Sequence, residues 1–278
     1  MVPSKAVKAT LFNSGYCTAH SMVVNPSTGR GTSKFYAVWA LLEHEDLGYI
    51  LFDTGYSPMF YNATKHFPDR LYRWATPVYI NDEETAANQL SAIDILPTQI
   101  KYVIISHFHA DHIAGMADFS NAKFVCARQG YQQFASATRS NGVFNGLLKL
   151  LAPDDIAERM LYVEDIGRSG ISEDGLTFYD LFDKEDLRVV MLPGHARSMM
   201  GMFMSINNQT TLFATDASWD SVAFAANILP LPIVKLFFDS WEMYKDSWCK
   251  LRRFAAHQPN IPILFTHCIK TQGYIRHV

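Results

Sequence analysis

The chain has only four cysteines, Cys17, Cys126, Cys249 and Cys268, and no two of them form a C-x-x-C pair. That scatter excludes a zinc finger and a dense disulfide framework, and it points to reduced thiols in a cytoplasmic protein. Charge is also sparse, at 18% of residues with a net charge of -3, and no block of five like charges occurs. A mixed, weakly acidic chain has neither a charged tail nor the overall basic balance that marks a nucleic-acid binder. Residues 1–24 lack the basic start and continuous apolar run of a secretory leader. The strongest apolar run, Val222 to Phe238, is broken by Pro230, Pro232 and Lys235. It is too short to span a membrane comfortably and reads as a buried or pocket-lining segment. No Gly/Ser-rich spacer or short repeat divides the chain. The 278 residues, 49% of them apolar, are therefore read as one domain, 1–278.

What is present is an alternation of strand-like and helix-like segments. Strands are expected at Lys8–Asn13, Lys34–Glu43, Gly48–Phe52, Lys101–Ile105 and Ala122–Cys126. Weaker strand signals follow at Met160–Val163 and Leu176–Tyr179, then stronger ones at Leu187–Leu192, Gly201–Ile206, Thr210–Thr215 and Ile261–Phe265. Helical spacing marks Asp82–Asp94 with Asp82 as its cap, the first turns of Ile113–Phe119, Arg128–Thr138, and Ser240–His257. This order predicts an α/β fold with a mixed or antiparallel sheet.

The sharpest signal is Ser106-His107-Phe108-His109-Ala110-Asp111-His112, directly after the Lys101–Ile105 strand. His107 and His109 lie two apart in extended backbone, so their rings project to one side. Asp111 and His112 fall where the chain turns into a helix. Four metal-capable side chains within six residues can serve two adjacent ions, each needing three or four ligands. Three more candidates end later strands: His195 in Pro193-Gly194-His195, Asp216 in Leu212-Phe213-Ala214-Thr215-Asp216, and His267 in Ile263-Leu264-Phe265-Thr266-His267. Gly194 beside His195 lets the backbone turn sharply, and a strand-end carboxylate such as Asp216 can bridge two cations. Ser106 reads as a backbone-bonding turn residue. His20, His44, His66, His257 and His277 read as surface or packing residues, with His66 singled out for its aromatic surroundings.

His107-Phe108-His109-Ala110-Asp111-His112 is preceded by Leu51-Phe52-Asp53-Thr54-Gly55 and followed by Pro-Gly-His, a strand-end Asp and a strand-end His. In that order the chain resembles the metallo-β-lactamase superfamily, and within it the lactonase-like branch. The resemblance implies a four-layer αββα sandwich. It also implies a ligand split: His107, His109 and His195 on one metal, Asp111, His112 and His267 on the other, and Asp216 bridging. Asp53 would be the buried acid supporting the metal loop. Five histidines and two carboxylates suit two divalent ions, with Zn(II) expected ahead of Fe(II), Mn(II) or Co(II). His109 stands where the family's redox branch has a carboxylate, which argues against a di-iron reading. The activity implied is hydrolysis by a hydroxide shared between the ions, with Asp111 as proton shuttle to the leaving group.

Two segments outside the ligand set are rich in large apolar residues: Met59–Ile80 and Trp219–Trp241. They are read either as ordinary core or as walls of an apolar pocket beside the metals. The second reading suits a small, hydrophobic ester or lactone substrate. One departure from the lactonases matters: they carry a tyrosine three residues after the bridging aspartate, where Trp219 stands here. Competing readings are a thioesterase or phosphodiesterase of the same superfamily, or a metal-binding ligand sensor without catalysis. The thioesterase branch adds a C-terminal helical region, for which the short segment after His267 leaves no room. Met59–Ile80 is also a candidate contact for a homodimer, and Arg197 a candidate anchor for an anionic substrate group.

Overall fold

Successive residues of a strand face opposite ways, and in this chain both faces are apolar. In Thr32–His44, residues Ala37, Trp39 and Leu41 join one buried cluster, whereas Val38, Ala40 and Leu42 join another. A strand buried on both sides must be covered on both sides. The computed structural model, which describes residues 1–278, shows how.

Thirteen strands are hydrogen-bonded into one curled sheet that folds over as two leaves. They are β1 (Lys8–His20), β2 (Thr32–His44), β3 (Gly48–Phe52), β4 (Val78–Tyr79), β5 (Ile100–Ile104), β6 (Lys123–Cys126) and β7 (Met160–Tyr162), then β8 (Gly167–Ile171), β9 (Thr177–Leu181), β10 (Arg188–Met191), β11 (Met200–Ile206), β12 (Gln209–Phe213) and β13 (Ile263–Leu264). The first leaf runs β7-β6-β5-β3-β2-β1, antiparallel through β1–β2–β3 and parallel from β3 onward. The second runs β8-β9-β10-β11-β12 antiparallel, with β13 parallel to β12. A single pair, Lys8 with Ser205, joins β1 to β11 and makes the hinge between the leaves.

Three apolar seams result. Between the leaves lie Phe52, Met202 and Phe213, with Phe52 and Phe213 edge to face at 5.9 Å. Outside the first leaf, Trp39 and Phe124 pack with Ile113 and Phe134 from its helices. Outside the second, Phe203 meets Leu251 and Phe254 of the long helix Trp241–His257. Three seams separate four layers, so the fold is the expected αββα sandwich. That long helix buries Tyr244, Trp248, Leu251 and Phe254, one face at helical spacing, and Ser240 caps it by accepting from the Met243 N–H. Each such ring contributes roughly 1.5–3 kcal/mol by leaving water.

Several boundaries differ from expectation for local reasons. Strand β1 continues to His20 across a bulge between Asn13 and Tyr16, where Gly15 adopts φ +74°. The expected Asp82–Asp94 helix is two pieces, because Thr85 is extended (ψ 148°) and starts a second helix, Ala86–Ser91. Asn81, not Asp82, heads the first turn. The helix after the histidine run starts earlier than Ile113, at Ala110, and ends at Ile113 before a separate turn at Met116–Asp118. Helix Arg139–Phe144, capped by Thr138, and edge strand β8 carried too little periodicity to be expected. Val222–Phe238 forms two short helical turns, and no helix is long and apolar enough to cross a membrane.

Candidate metal centre

The seven side chains singled out by spacing meet at one edge of the sandwich, where the leaves' strand ends converge. They form two groups, His107–His109–His195 and Asp111–His112–Asp216–His267, whose ligand atoms lie within 4.8 Å of one another in each group. In the first, His109 Nδ1 stands 3.1 Å from His107 Nε2 and 3.0 Å from His195 Nε2. In the second, His112 Nε2 is 3.2 Å from Asp111 Oδ2, and His267 Nε2 is 2.9 Å from Asp216 Oδ2. Asp216 reaches both groups: its Oδ2 is also 3.3 Å from His195 Nε2, and its Oδ1 is 3.6 Å from His112 Nε2.

Strand ends set these positions. After β5, Ser106 is pinned on both sides of Asp53: its N–H donates to Oδ1 and its hydroxyl to Oδ2, each at 2.7 Å. Ser106 is thus tied to a buried carboxylate through its hydroxyl, not to backbone alone as its turn position had indicated. Asp53 itself holds φ +61°, a left-handed conformation that costs about 1 kcal/mol and persists only when its surroundings enforce it. Thr54 supplies that enforcement, donating through both N–H and hydroxyl to the His112 carbonyl at 2.9 and 3.0 Å. The Asp-Thr-Gly strand end therefore clamps the helix that carries Asp111 and His112. Gly194, at φ +130°, turns the chain into His195, and a Cβ there would lie 2.1 Å from the Tyr244 nitrogen. Asp216 follows Thr215, which sits at φ +47° with its hydroxyl on the Met200 carbonyl.

The donor set fits metal ions. Where a ring nitrogen is engaged outside the centre, the partner fixes which nitrogen faces inward. His112 Nδ1 is held by Asp53 at 2.7 Å, His107 Nδ1 by the Ser106 hydroxyl at 3.0 Å, and His267 Nδ1 donates to the Tyr36 carbonyl at 2.8 Å. That leaves each Nε2 directed at the centre. His112 Nε2 and Asp216 Oδ1 are buried without any hydrogen-bond partner. Orphaned polar atoms of this kind are costly unless a ligand fills the space between them.

Electrostatics divide the two groups. Burial, then the neighbouring His195, lowers His109 to about 3, and burial also drives His107 well below the ordinary imidazole range. Burial would lower His112 too, but Asp111, Asp53 and Asp216 outweigh it and raise it well above 6.5. Burial opposes ionisation of Asp111 and Asp216, yet the facing histidines prevail, holding Asp111 at about 2 and Asp216 well below the usual carboxylate range.

Aromatic rings surround the centre. Trp219 and Phe238 lie edge-on to His195 at 5.7 and 5.0 Å, and Phe35 is 5.1 Å from His267. Trp219 and Phe238 thus wall the centre, whereas Phe224 and Val234 of the Trp219–Trp241 segment join the outer seam of the second leaf and Ile233, Leu236 and Phe237 are exposed. The Met59–Ile80 segment splits. Phe60, Tyr61 and Tyr72 pack into the outer seam of the first leaf, whereas Phe67, Trp74 and Tyr79 face solvent. Arg197 lines a slot beside His109 and His195, but its guanidinium is engaged by Asp239 at 3.0–3.2 Å. Tyr56 is buried against Phe60 and Cys17. Of the remaining histidines, His44 caps the β2–β3 turn by accepting from the Asp46 and Leu47 N–H groups, and His257 pairs with Asp174.

Two contributors carry no sequence signal: the Tyr36 carbonyl, and Gly146. Gly146 holds φ +72° and packs so tightly on His109 that a Cβ would lie 2.9 Å from the ring.

Comparison with known proteins agrees with this geometry. Among curated relatives, an N-acyl homoserine lactonase AttM of Azorhizobium caulinodans is 26% identical over 215 residues, covering 73% of this chain and 72% of that protein. AttM of Agrobacterium fabrum is 23% identical over 225 residues, covering 77% and 76%. A solved N-acyl homoserine lactone hydrolase, with the product N-hexanoyl-L-homoserine bound at its catalytic metal centre, superposes with a TM-score of 0.70. It is 20% identical, over 98% of this chain and 97% of that one. AidC, a dizinc quorum-quenching lactonase, gives 0.63 at 16% identity, over 96% and 90%. The family model for the metallo-beta-lactamase superfamily matches residues 33–255, a span that takes in every site residue except His267, which the fold delivers from β13. With that match across most of its length, the chain belongs to the metallo-beta-lactamase superfamily.

Proposed function

We propose that this protein is a dinuclear zinc-dependent hydrolase that opens a lactone or ester bond in a small, largely apolar substrate. The observation that carries the reading is the convergence of five imidazoles and two carboxylates into two groups joined at Asp216. On this reading His107, His109 and His195 hold one ion, Asp111, His112 and His267 the other, and Asp216 contacts both. When bound, two such ions supply a water acidified toward neutral pH and a Lewis acid for the substrate's carbonyl oxygen.

The chain's own residues do the rest. Asp111, held at about 2, is ionised at neutral pH and accepts a proton that it cannot keep, which suits transfer onward to a leaving alkoxide. Asp53 fixes the orientation and tautomer of His112 through its 2.7 Å hydrogen bond. Trp219, Phe238 and Phe35 present apolar edges beside His195 and His267, a surface for an acyl chain and not for a polyphosphate. Lactonase names among the relatives, including one whose structure holds an acyl-homoserine product, favour a lactone over other esters.

The test is metal analysis coupled to hydrolysis of acyl-homoserine lactones and aryl esters, repeated on His109→Ala and Asp216→Ala. Two zinc ions per chain, with turnover falling roughly a hundred- to thousandfold in either variant, is the expected result. A folded protein that takes up no metal would overturn the reading.

A further inference from the structure

On the face formed by helices Met59–Ala63 and Arg70–Ala75 and by β4, a groove of about 850 Å³ opens to solvent. Lys65, Arg70 and Arg73 line it beside Tyr61, Trp74 and Tyr79, and no carboxylate is among its lining residues. The adjacent acid, Asp69, is turned away into an ion pair with Arg139. Three cations gathered without counter-charge are notable in a chain whose net charge is -3.

Their arrangement is ordered. The Arg73 guanidinium lies 4.7 Å over the Tyr61 ring and that of Arg70 lies 5.3 Å over Trp74. A guanidinium stacked by its face keeps its N–H edges free, and those edges match the paired oxygens of a phosphate. Trp74 is 59% exposed and Tyr79 50%, an unusual display of flat apolar surface next to charge. Exposed rings flanking a cationic groove are the arrangement on which nucleobases stack while their phosphates are neutralised. Tyr72, on the same short helix, points the other way and packs on Phe60 in the outer seam of the first leaf. An aromatic layer thus separates this groove from the metal centre.

We propose that the groove binds a nucleoside phosphate, with Arg70, Arg73 and Lys65 on the phosphates and the base against Trp74. The site is independent of the hydrolytic centre and gives the enzyme a second, non-substrate ligand.

Calorimetric titration of the metal-loaded protein with ADP tests it, with inorganic pyrophosphate and adenosine as separate probes. Saturable ADP binding that quenches tryptophan fluorescence is expected, weakened about tenfold or more by Arg73→Glu and again by Trp74→Ala. Lactone hydrolysis and thermal stability of both variants should match the parent. Absence of saturable ADP binding overturns the proposal. Binding that Arg73→Glu leaves unchanged assigns the nucleotide to the metal centre and overturns it equally. Pyrophosphate binding as tight as ADP, insensitive to Trp74→Ala, reduces the groove to a charge patch and removes the nucleoside.

Discussion

The two ligand groups sit side by side yet are built on opposite electrostatic plans. The first, His107, His109 and His195, contains no carboxylate of its own, and burial holds His107 and His109 neutral. The second, Asp111, His112, Asp216 and His267, pairs each imidazole with carboxylates and raises both histidines. His107 and His109 are therefore ready for a cation without losing protons. The second group is already satisfied by protons, which a metal must displace. Their supports differ as well. His112 is anchored through Asp53 and the Asp-Thr-Gly strand end, and His267 through the Tyr36 carbonyl. His195 has a buried Nδ1 with no partner, and His109 leans on Gly146. In the first group only His107 is anchored, by the Ser106 hydroxyl at 3.0 Å, so the second group is the more firmly held.

The largest effect should come from cutting the stronger anchor. In Asp53→Asn, an amide nitrogen can face His112 Nδ1, which disfavours the tautomer that leaves Nε2 free. Affinity for the second ion should fall about 10- to 100-fold, and that for the first by less, because Ser106, which holds His107, also loses its carboxylate acceptor. Competitive zinc titration of the variant would show the second site weakened more; equal weakening of both would mean that the halves are not separately supported. The converse is Gly146→Ala, whose methyl meets the His109 ring at 2.9 Å from a φ of +72°. It should cost about 1–2 kcal/mol of stability and weaken the first site preferentially. Thermal melts with and without zinc would separate the two effects.

How much of this was readable beforehand follows from where the signals lie. His107 to His112 is legible because four ligands fall within six residues, and His195, Asp216 and His267 because each ends an apolar run. The four layers were implied only by the family resemblance; the structure shows them in neighbours such as Trp39 and Ala40, which populate different seams. The Tyr36 carbonyl is 231 residues from His267 and is a backbone atom, so no side-chain pattern announces it. Gly146 acts by lacking a side chain. The Met59–Ile80 segment left core and pocket wall both open for a different reason: apolar residues on both faces of short helices leave no pattern to say which rings turn inward. Only tertiary packing separates Tyr72 from Trp74.

The pH dependence of the metal-free protein sharpens the contrast. His112 binds its proton more tightly folded than unfolded, so its stabilisation is complete below 6.5 and is lost as pH rises through the folded value. His109 behaves oppositely. Its folded value of about 3 lies below 6.5, so between these the unfolded chain takes up a proton that the folded chain refuses, and stability falls as pH drops through that window. Zinc uptake near pH 7 should consequently release fewer protons for the ion entering the first group than for the ion entering the second. Calorimetry in buffers of different ionisation enthalpy measures both numbers. Equal release at the two steps would erase the distinction drawn between the groups.

The smallest expected effect tests the wall that both groups share. Trp219 stands three residues after Asp216, packs on His195 and meets Phe35, which itself packs on His267, so it touches the surroundings of both halves. Its indole nitrogen is buried without a partner. An N–H can donate to a substrate oxygen, but unlike a hydroxyl it cannot also accept a hydrogen bond. Trp219→Tyr should therefore leave both zinc ions bound and raise turnover of a lactone by a few-fold, because one hydrogen bond contributes about 0.5–1.5 kcal/mol. The smaller ring also vacates space against Phe238, so KM for long acyl chains should rise in the same variant. A gain in kcat confined to lactones, set beside aryl esters as control, would assign the position to the leaving oxygen of the ring. An unchanged kcat with a raised KM would leave Trp219 as packing alone, and the catalytic contrast would then reside wholly in the two ligand groups.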